Sequence, residues 1–356
     1  MRRRPLLLAV QSLLLPTPAL LLGSPALALP AKALVFPRDH GAHPGFRTEW
    51  WYITGHAESG GRPFGFQVTF FRTRVDGTQS MTSRFAAKQL VFAHAALTDV
   101  QGRKLWHDQR IAREGFGVAL AAGTDTRVQL RDWSLLRDGD GYRAQLASAD
   151  FALDLRFTPT QPLLLQGRLG LSRKGPQEQQ ASYYYSQPQL AARGGITLRG
   201  QRFAVTGQAW LDHEWSEELL HPEAVGWDWI GMNLLDGSAL TAFRLRRKDG
   251  STLWDGGSFR SLKGGLYTFS PGEVTFSPQR RWTSALTQTA YPVEWIVRTP
   301  ADFYTVKAVL DNQELDSRAS TGAIYWEGLS ELFDSNGKLV GRGYLEMTGY
   351  AQRLRL

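Results

Sequence analysis

The side chains best suited to chemistry in this chain fall in one short run, Trp210-Leu211-Asp212-His213-Glu214-Trp215, at the end of a stretch that begins near Phe203. In an extended strand, successive side chains point to opposite faces. Phe203, Val205, Gly207, Ala209, Leu211, His213 and Trp215 then share one face, and Trp210, Asp212 and Glu214 share the other. The first face is apolar until it reaches His213. An imidazole beside an indole at the end of an oily wall suits acid–base work on an apolar substrate, because low dielectric shifts proton affinity and the indole face shelters a developing cation. The competing reading is a histidine packed among aromatics and hydrogen-bonded for structure alone. Asp228, on the strand that follows, is a candidate either to orient the His213 imidazole or to act as the acid itself.

Two further clusters carry polar groups. Asp39-His40-Gly41-Ala42-His43 places a carboxylate near two imidazoles in a Gly- and Pro-rich stretch. No further ligands follow at metal-site spacing, so a loop histidine pair is the reading preferred over a metal centre. Glu49-Trp50-Trp51-Tyr52 and Trp227-Asp228-Trp229 each set an acid among large rings. For Glu49 the expectation is strand-end packing with the carboxylate hydrogen-bonded. The chain has no cysteine, which removes thiolate metal sites, a cysteine nucleophile and disulfides. It also lacks a Gly-x-Ser-x-Gly elbow, a phosphate-cradling Gly-rich loop, a His-Glu-x-x-His helix and a dinucleotide fingerprint, so serine hydrolase, nucleotide enzyme and zinc protease are disfavoured.

The elements that must position these residues read as strands. Phe64, Phe66, Val68 and Phe70 alternate with Gly65, Gln67 and Thr69, a period of two that belongs to an extended strand. Turn signals recur at Ser59-Gly60-Gly61, Asp76-Gly77, Asp138-Gly139, Asp236-Gly237, Asp249-Gly250 and Asn336-Gly337. Hairpin-connected antiparallel strands follow, and curling such a sheet into a barrel removes its exposed edges. One pattern occurs twice: Trp51-Tyr52-Ile53, a turn and Phe71-Arg72-Thr73-Arg74, then Asp228-Trp229-Ile230, a turn and Phe243-Arg244-Leu245-Arg246. That repeat predicts two similar barrels, with a boundary between Leu220 and Ala224 where His221-Pro222 interrupts strand character. The expected division is a signal peptide at 1–28, a first barrel at 29–220 and a second at 221–356.

At 356 residues, with 42% hydrophobic and 12% aromatic side chains, the chain can build two cores, and its 12 Trp favour β structure. The formal charge is +8, three units of it on Arg2, Arg3 and Arg4; the other cations are dispersed among acids, so nucleic acid is not an expected partner. Those arginines precede an apolar stretch, Leu6 to Leu22, and a small-x-small site at Ala26-Leu27-Ala28, the layout of a cleaved signal peptide. Pro16 and Pro18 break the apolar run and speak against a membrane anchor. Export to the periplasm or beyond is therefore expected, with no integral membrane segment after cleavage.

Several segments together resemble one known family: His43-Pro44-Gly45-Phe46-Arg47-Thr48-Glu49-Trp50-Trp51-Tyr52, Ala93-His94-Ala95-Ala96-Leu97-Thr98-Asp99, Tyr185-Ser186-Gln187-Pro188, Trp210 to Trp215, Gly226-Trp227-Asp228-Trp229 and Gly343-Tyr344-Leu345-Glu346. The chain is similar over nearly all its mature length to the AttH/CrtC-like family of secreted lipocalin-like proteins, which includes carotenoid 1,2-hydratases. The resemblance implies an all-β fold of two tandem lipocalin-like (calycin-type) antiparallel β-barrels and cofactor-free addition of water to an isoprenoid double bond, a hydro-lyase reaction. His213 and Trp215 match the histidine and tryptophan of the hydratase Asp-His-x-Trp segment. The Tyr-x-Asp pair of the hydratases is replaced here by Ala242-Phe243-Arg244-Leu245. Asp212, His213, Trp215 and Asp228 are thus the candidate catalytic residues, and Trp51, Trp210, Trp227 and Trp229 the candidate ligand-binding ones. The alternative is a non-catalytic carrier that hands an apolar small molecule to an ABC-type permease.

Overall fold

The structure, a computed structural model, describes residues 28–354. The expected signal peptide, 1–28, lies outside them but for its last residue. Among the described residues the only helical turns are two short 3-10 segments, Arg38–His40 and Asp76–Thr78. The all-β expectation holds, and the chain forms two large lipocalin-like antiparallel sheets. No helix among the described residues is long and apolar enough to cross a membrane.

The first sheet contains β1 (Thr48–Ser59), β2 (Arg62–Arg74), β3 (Gln89–Asp99), β4 (Lys104–Arg113), β5 (Ala119–Ala121), β6 (Arg127–Leu130), β7 (Trp133–Asp138), β8 (Gly141–Ala147), β9 (Phe151–Thr158), β10 (Leu164–Leu165), β11 (Leu171–Arg173), β12 (Ala181–Leu198) and β13 (Gln201–Glu218). It runs in the order β4-β3-β2-β1-β13-β12-β9-β8-β7-β6-β5, with β10 and β11 also on β12. Consecutive strands pair as hairpins except where β1 takes β13 and β12 takes β9, and the sheet curls until β3 and β4 approach β5 and β6, a barrel close to closure. The second sheet contains β14 (Gly226–Leu234), β15 (Ala239–Arg246), β16 (Thr252–Arg260), β17 (Leu266–Phe269) and β18 (Thr275–Pro278). A small hairpin, β19 (Arg281–Thr283) with β20 (Ala290–Pro292), stands apart. The second sheet is then completed by β21 (Glu294–Arg298), β22 (Phe303–Ala308), β23 (Glu314–Ser317), β24 (Ala323–Phe333) and β25 (Leu339–Met347), in the order β17-β16-β15-β14-β25-β24-β22-β21-β18.

Side-chain alternation builds three apolar layers from these two sheets. Trp51, Ile53, Phe64, Phe66, Val68, Phe70, Leu211 and Trp215 point into the first barrel. Ile230, Met232, Trp295, Trp326, Leu345 and Met347 fill the second. The opposite faces of the central strands meet between the sheets, where Tyr52, Trp210, Trp229, Phe243, Leu245 and Tyr344 pack together. Each aromatic so enclosed contributes on the order of 1.5–3 kcal/mol of hydrophobic stabilisation. Buried polar links fasten the layers. Gln189 donates its backbone N–H to Asn233 Oδ1 at 2.8 Å, and Asn233 Nδ2 donates to Ala209 O at 3.0 Å. Elsewhere His94 Nδ1 meets Tyr325 OH at 2.9 Å.

The sequence repeat appears in register. Glu49 faces Arg72 across β1 and β2, and Asp228 faces Arg244 across β14 and β15. Tight glycines let the strands approach: a Cβ on Gly207 would stand 1.9 Å from the His56 carbonyl oxygen, so only glycine allows β13 to lie this closely on β1.

Candidate functional site

Because β13 is a strand, the run Asp212-His213-Glu214-Trp215 is divided between two environments. His213 and Trp215 point into the first barrel and are fully buried. His213 Nε2 lies 2.9 Å from Glu49 Oε1, and its Nδ1 lies 3.1 Å from Tyr185 OH. Its ring stacks on Trp51 at 4.7 Å between centroids, and Trp215 stacks on His43 at 3.8 Å. Burial lowers the His213 imidazole to about 4, against the pull of Glu49, so the ring is neutral at neutral pH. Burial alone would raise Glu49, but hydrogen bonds from His213 and His43 more than offset it and hold the carboxylate well below its ordinary range. Arg72 Nε donates to Glu49 Oε2 at 2.8 Å. His43 is bracketed by Glu49 at 2.7 Å and Asp39 at 3.0 Å.

This interior departs from the sequence expectation of a dry chamber beside His213. Trp51, Trp215 and Tyr185 pack around the imidazole and fill the space beside it. Trp51 and Trp215 are packing residues of the barrel. His40 and His43 lie in the loop before β1, as expected of a loop pair, but their side chains are buried. His43 Nδ1, Glu49 Oε1 and His213 Nε2 lie within 4.8 Å of one another, close enough to hold a metal ion. They already bond to each other, and the Arg72 guanidinium against Glu49 disfavours a second cation there. Asp228 does not reach His213. It is buried in the second sheet, where Arg244 Nε donates to it at 2.7 Å and Tyr350 OH at 2.9 Å. Glu49 is the acid that orients the imidazole.

The outward residues of the same strands line a cavity of about 110 Å³ between the sheets. β1 supplies Trp50 and Tyr52, β2 Gln67 and Phe71, β12 Tyr184, and β13 Asp212 and Glu214. From the second sheet come Trp227 and Trp229 on β14, Phe243 and Leu245 on β15, Tyr325 and Glu327 on β24, and Glu346 on β25. Of the candidates, Asp212, Trp227 and Trp229 line this space. Trp210 stands behind it, donating Nε1–H to Asp212 Oδ1 at 2.7 Å.

Four acids in one apolar cavity is an unusual concentration, since buried carboxyls are stable only when neutralised or well bonded. Glu214 is neutralised by Lys174 Nζ at 3.0 Å, with Ser182 donating to it as well. Asp212 accepts from Ser186 at 2.5 Å, from Trp210, and from Tyr184 OH at 2.7 Å. Burial nevertheless raises it to about 7. Glu327 and Glu346 are directly opposite across β24 and β25, where two ionised carboxylates repel. Burial brings Glu346 to about 7, with the Trp227 N–H at 3.0 Å opposing the rise. Burial, reinforced by the negative charge of Glu346, pushes Glu327 well above its ordinary value.

Glu327 Oε2 accepts from Gln67 Nε2 at 2.7 Å. Glu327 Oε1, Gln67 Oε1 and Tyr52 OH, all buried and all on the cavity lining, make no hydrogen bond of ordinary geometry among the described residues, although Tyr52 lies close enough to Glu327 to oppose the rise of its carboxyl. Buried polar groups are normally paired, so these three atoms stand out as unsatisfied polar groups on the lining. Glu327 and Tyr184 were not singled out from the sequence, and Tyr52 and Glu346, which fall in the segments of family resemblance, were given no role. The available signal was the flanking of Glu327 by Tyr325 and Trp326, an acid among rings like Glu49 and Asp228.

The sequence pattern of the AttH-like family matches residues 27–350. A crystal structure of an AttH protein from Nitrosomonas europaea at 2.00 Å is similar at 50% identity and TM-score 0.85, covering 91% of this chain and 99% of that one. Kievitone hydratase from Nectria haematococca shares the fold at 13% identity and TM-score 0.67, covering 85% and 89% of the two chains. No protein of curated function matches the sequence.

Proposed function

This chain belongs to the AttH-like family, and on that footing we propose that the cavity between its sheets adds water to a carbon–carbon double bond at the end of a slender apolar molecule of isoprenoid type. The observation that carries the reading is the pairing of Glu327, its carboxyl pushed up and its Oε1 without a hydrogen bond of ordinary geometry, with an Asp212 poised near neutrality in an aromatic enclosure. Environments that drive two carboxyls apart in proton affinity define an acid and a base. Glu327 gives its proton to one alkene carbon, forming a C–H bond from the π electrons. The cation left on the neighbouring carbon faces Trp229 and Trp50, a stabilisation of about 2 kcal/mol when dry. Water forms the C–O bond and yields its proton to Asp212, whose Oδ2 accepts from Tyr184 alone among the described residues. Proton exchange from Asp212 back to Glu327 restores the resting state. No cofactor is required by this chemistry. Kievitone hydratase, named for a hydration, is built on the same fold.

The cavity is well under the roughly 300 Å³ at which pockets begin to enclose drug-sized ligands, so it admits a chain end and not a whole carotenoid. That size favours catalysis over the carrier role beside an ABC-type permease, which needs a wide chamber. The reading places the protein in the periplasm or outside the cell, residues 1–28 being removed on export; N-terminal sequencing of the mature protein tests this. The activity is tested by incubating the full mature chain with acyclic carotenoids and squalene-type polyenes in ¹⁸O water. The expected result is product heavier by one labelled water, lost by about 10²–10⁴-fold in Glu327→Gln and Asp212→Asn and retained in folded His213→Ala. Absence of label from every polyene defeats the proposal.

A further inference from the structure

We propose that a second site lies at the end of the second sheet, a cleft that binds a phosphate-bearing molecule through Arg244 and Arg246. The cleft measures about 1150 Å³ and is bordered by Arg244, Arg246, Lys248, Arg281, Trp295 and Tyr350. It is separate from the cavity between the sheets: the two share no lining residue.

Arg244 and Arg246 are 8% and 5% exposed, yet Asp228 is the carboxylate with which both form ion pairs. Asp255, across from Arg244 on β16, is instead held by the backbone N–H groups of Gly272 and Val274. Arg244 spends only its Nε on Asp228, and its two terminal nitrogens make no hydrogen bond among the described residues. Arg246 Nε lies 3.1 Å from Asp228 Oδ2 but finds no hydrogen-bond partner, while its Nη2 donates to Thr348 O. Two buried guanidiniums that share one ion-pair partner keep N–H groups unsatisfied, a costly state that an incoming anion relieves.

The repeat within the chain supplies its own control. Arg72 occupies the same place in the first sheet, opposite Glu49, and all its nitrogens are used: Nε on Glu49, Nη1 on Gln89 Oε1, Nη2 on the carbonyls of His43 and Phe46. Its counterpart Arg244 stands open on a cleft. The difference is what separates a structural ion pair from a recognition site.

The ring faces below fix the forks in place. The Arg244 guanidinium lies 5.1 Å from the Trp295 ring centre, and that of Arg246 lies 3.9 Å from Tyr350. Lys248 and Arg281 on the rim have no acid partner among the described residues, whereas the rim acids are occupied, Glu223 by Arg247 at 2.9 Å and Asp249 by Ser251 at 2.7 Å. A lone carboxylate satisfies one fork. Several cations converging from different strands suit a group with more than one negative charge and acceptors in several directions, which is a phosphate.

The test is calorimetric titration of the full mature chain with inorganic pyrophosphate, alongside co-sedimentation with phosphatidylglycerol and with phosphatidylcholine vesicles. Saturable binding is expected, weakened about tenfold or more by Arg244→Gln and by Arg281→Gln. Arg74→Gln, at the matching place in the first repeat, should leave it unchanged. Arg281 is exposed, so its variant reads the site even where Arg244→Gln impairs folding. Pyrophosphate binding assigns the site to soluble phosphate esters. Binding confined to phosphatidylglycerol vesicles and reduced by the same variants assigns it to a lipid headgroup. No binding in either arm, or binding indifferent to Arg281→Gln and Arg244→Gln, overturns the proposal.

Discussion

Glu49 and Asp212 show how neighbouring acids on paired strands acquire opposite behaviour. Glu49 faces the barrel interior and is surrounded by donors and a guanidinium, so it stays ionised. Glu49→Gln strands the buried Arg72 without its counter-charge and is expected to cost about 3–5 kcal/mol. A denaturant midpoint within error of the parent would contradict that role. Asp212 faces the cavity, where burial raises it to about 7, and burial together with the charge of Glu346 pushes Glu327 well above the ordinary carboxylate range. With Asp212 as base and Glu327 as acid, kcat/KM should climb as pH rises through about 7 and hold until Glu327 ionises on the alkaline side; a rate that falls through 7 would exchange the two roles. The sequence pointed to Asp212, Trp227 and Trp229 because acids and rings crowd there in a short run. It assigned no role to Glu327 and Glu346, because Gln67 meets Glu327 only when the sheets pack and Trp227 meets Glu346 only once β14 pairs with β25. Nor could it reveal that Glu49, and not Asp228, would meet His213, since strand order decides that β1 lies beside β13.

At the level of the strand, period-two alternation is the organising device, and it was plain in Phe64, Phe66, Val68 and Phe70. The same rule that predicted faces for β13 sends His213 into a packed barrel and Asp212 into the cavity. What alternation alone cannot say is which face is hollow. Cross-strand pairing adds the remaining chemistry: Glu346 lies between Glu327 on β24 and Trp229 on β14. Glu346 has a folded-state value of about 7 against an ordinary 4.5, so the folded chain holds this proton more tightly than the unfolded chain. Its contribution to stability is present below the ordinary value and is lost as pH rises towards 7. His213, lowered to about 4, acts in the other direction, losing stability as pH falls from 6.5. Melting temperatures of Glu346→Gln should therefore decline less than those of the parent between about pH 5 and pH 8; parallel curves would show that Glu346 is not buried in the folded state.

In the whole molecule, duplication of one sheet pattern yields two barrels whose outer faces do what neither interior does. Trp-rich cores hold each barrel without disulfides, and the seam between them collects four carboxyls in an aromatic setting. The repeated Trp and Phe-Arg-x-Arg segments made the duplication legible, but the seam is a product of docking and has no signature in either half. The central claim is that substrate enters this seam and not a barrel lumen. A crystal of the protein soaked with an isoprenoid alkene brominated near its terminal double bond decides it through the anomalous signal of bromine. The account predicts a peak between Trp229 and Glu327. A peak inside the first barrel beside His213 would contradict it.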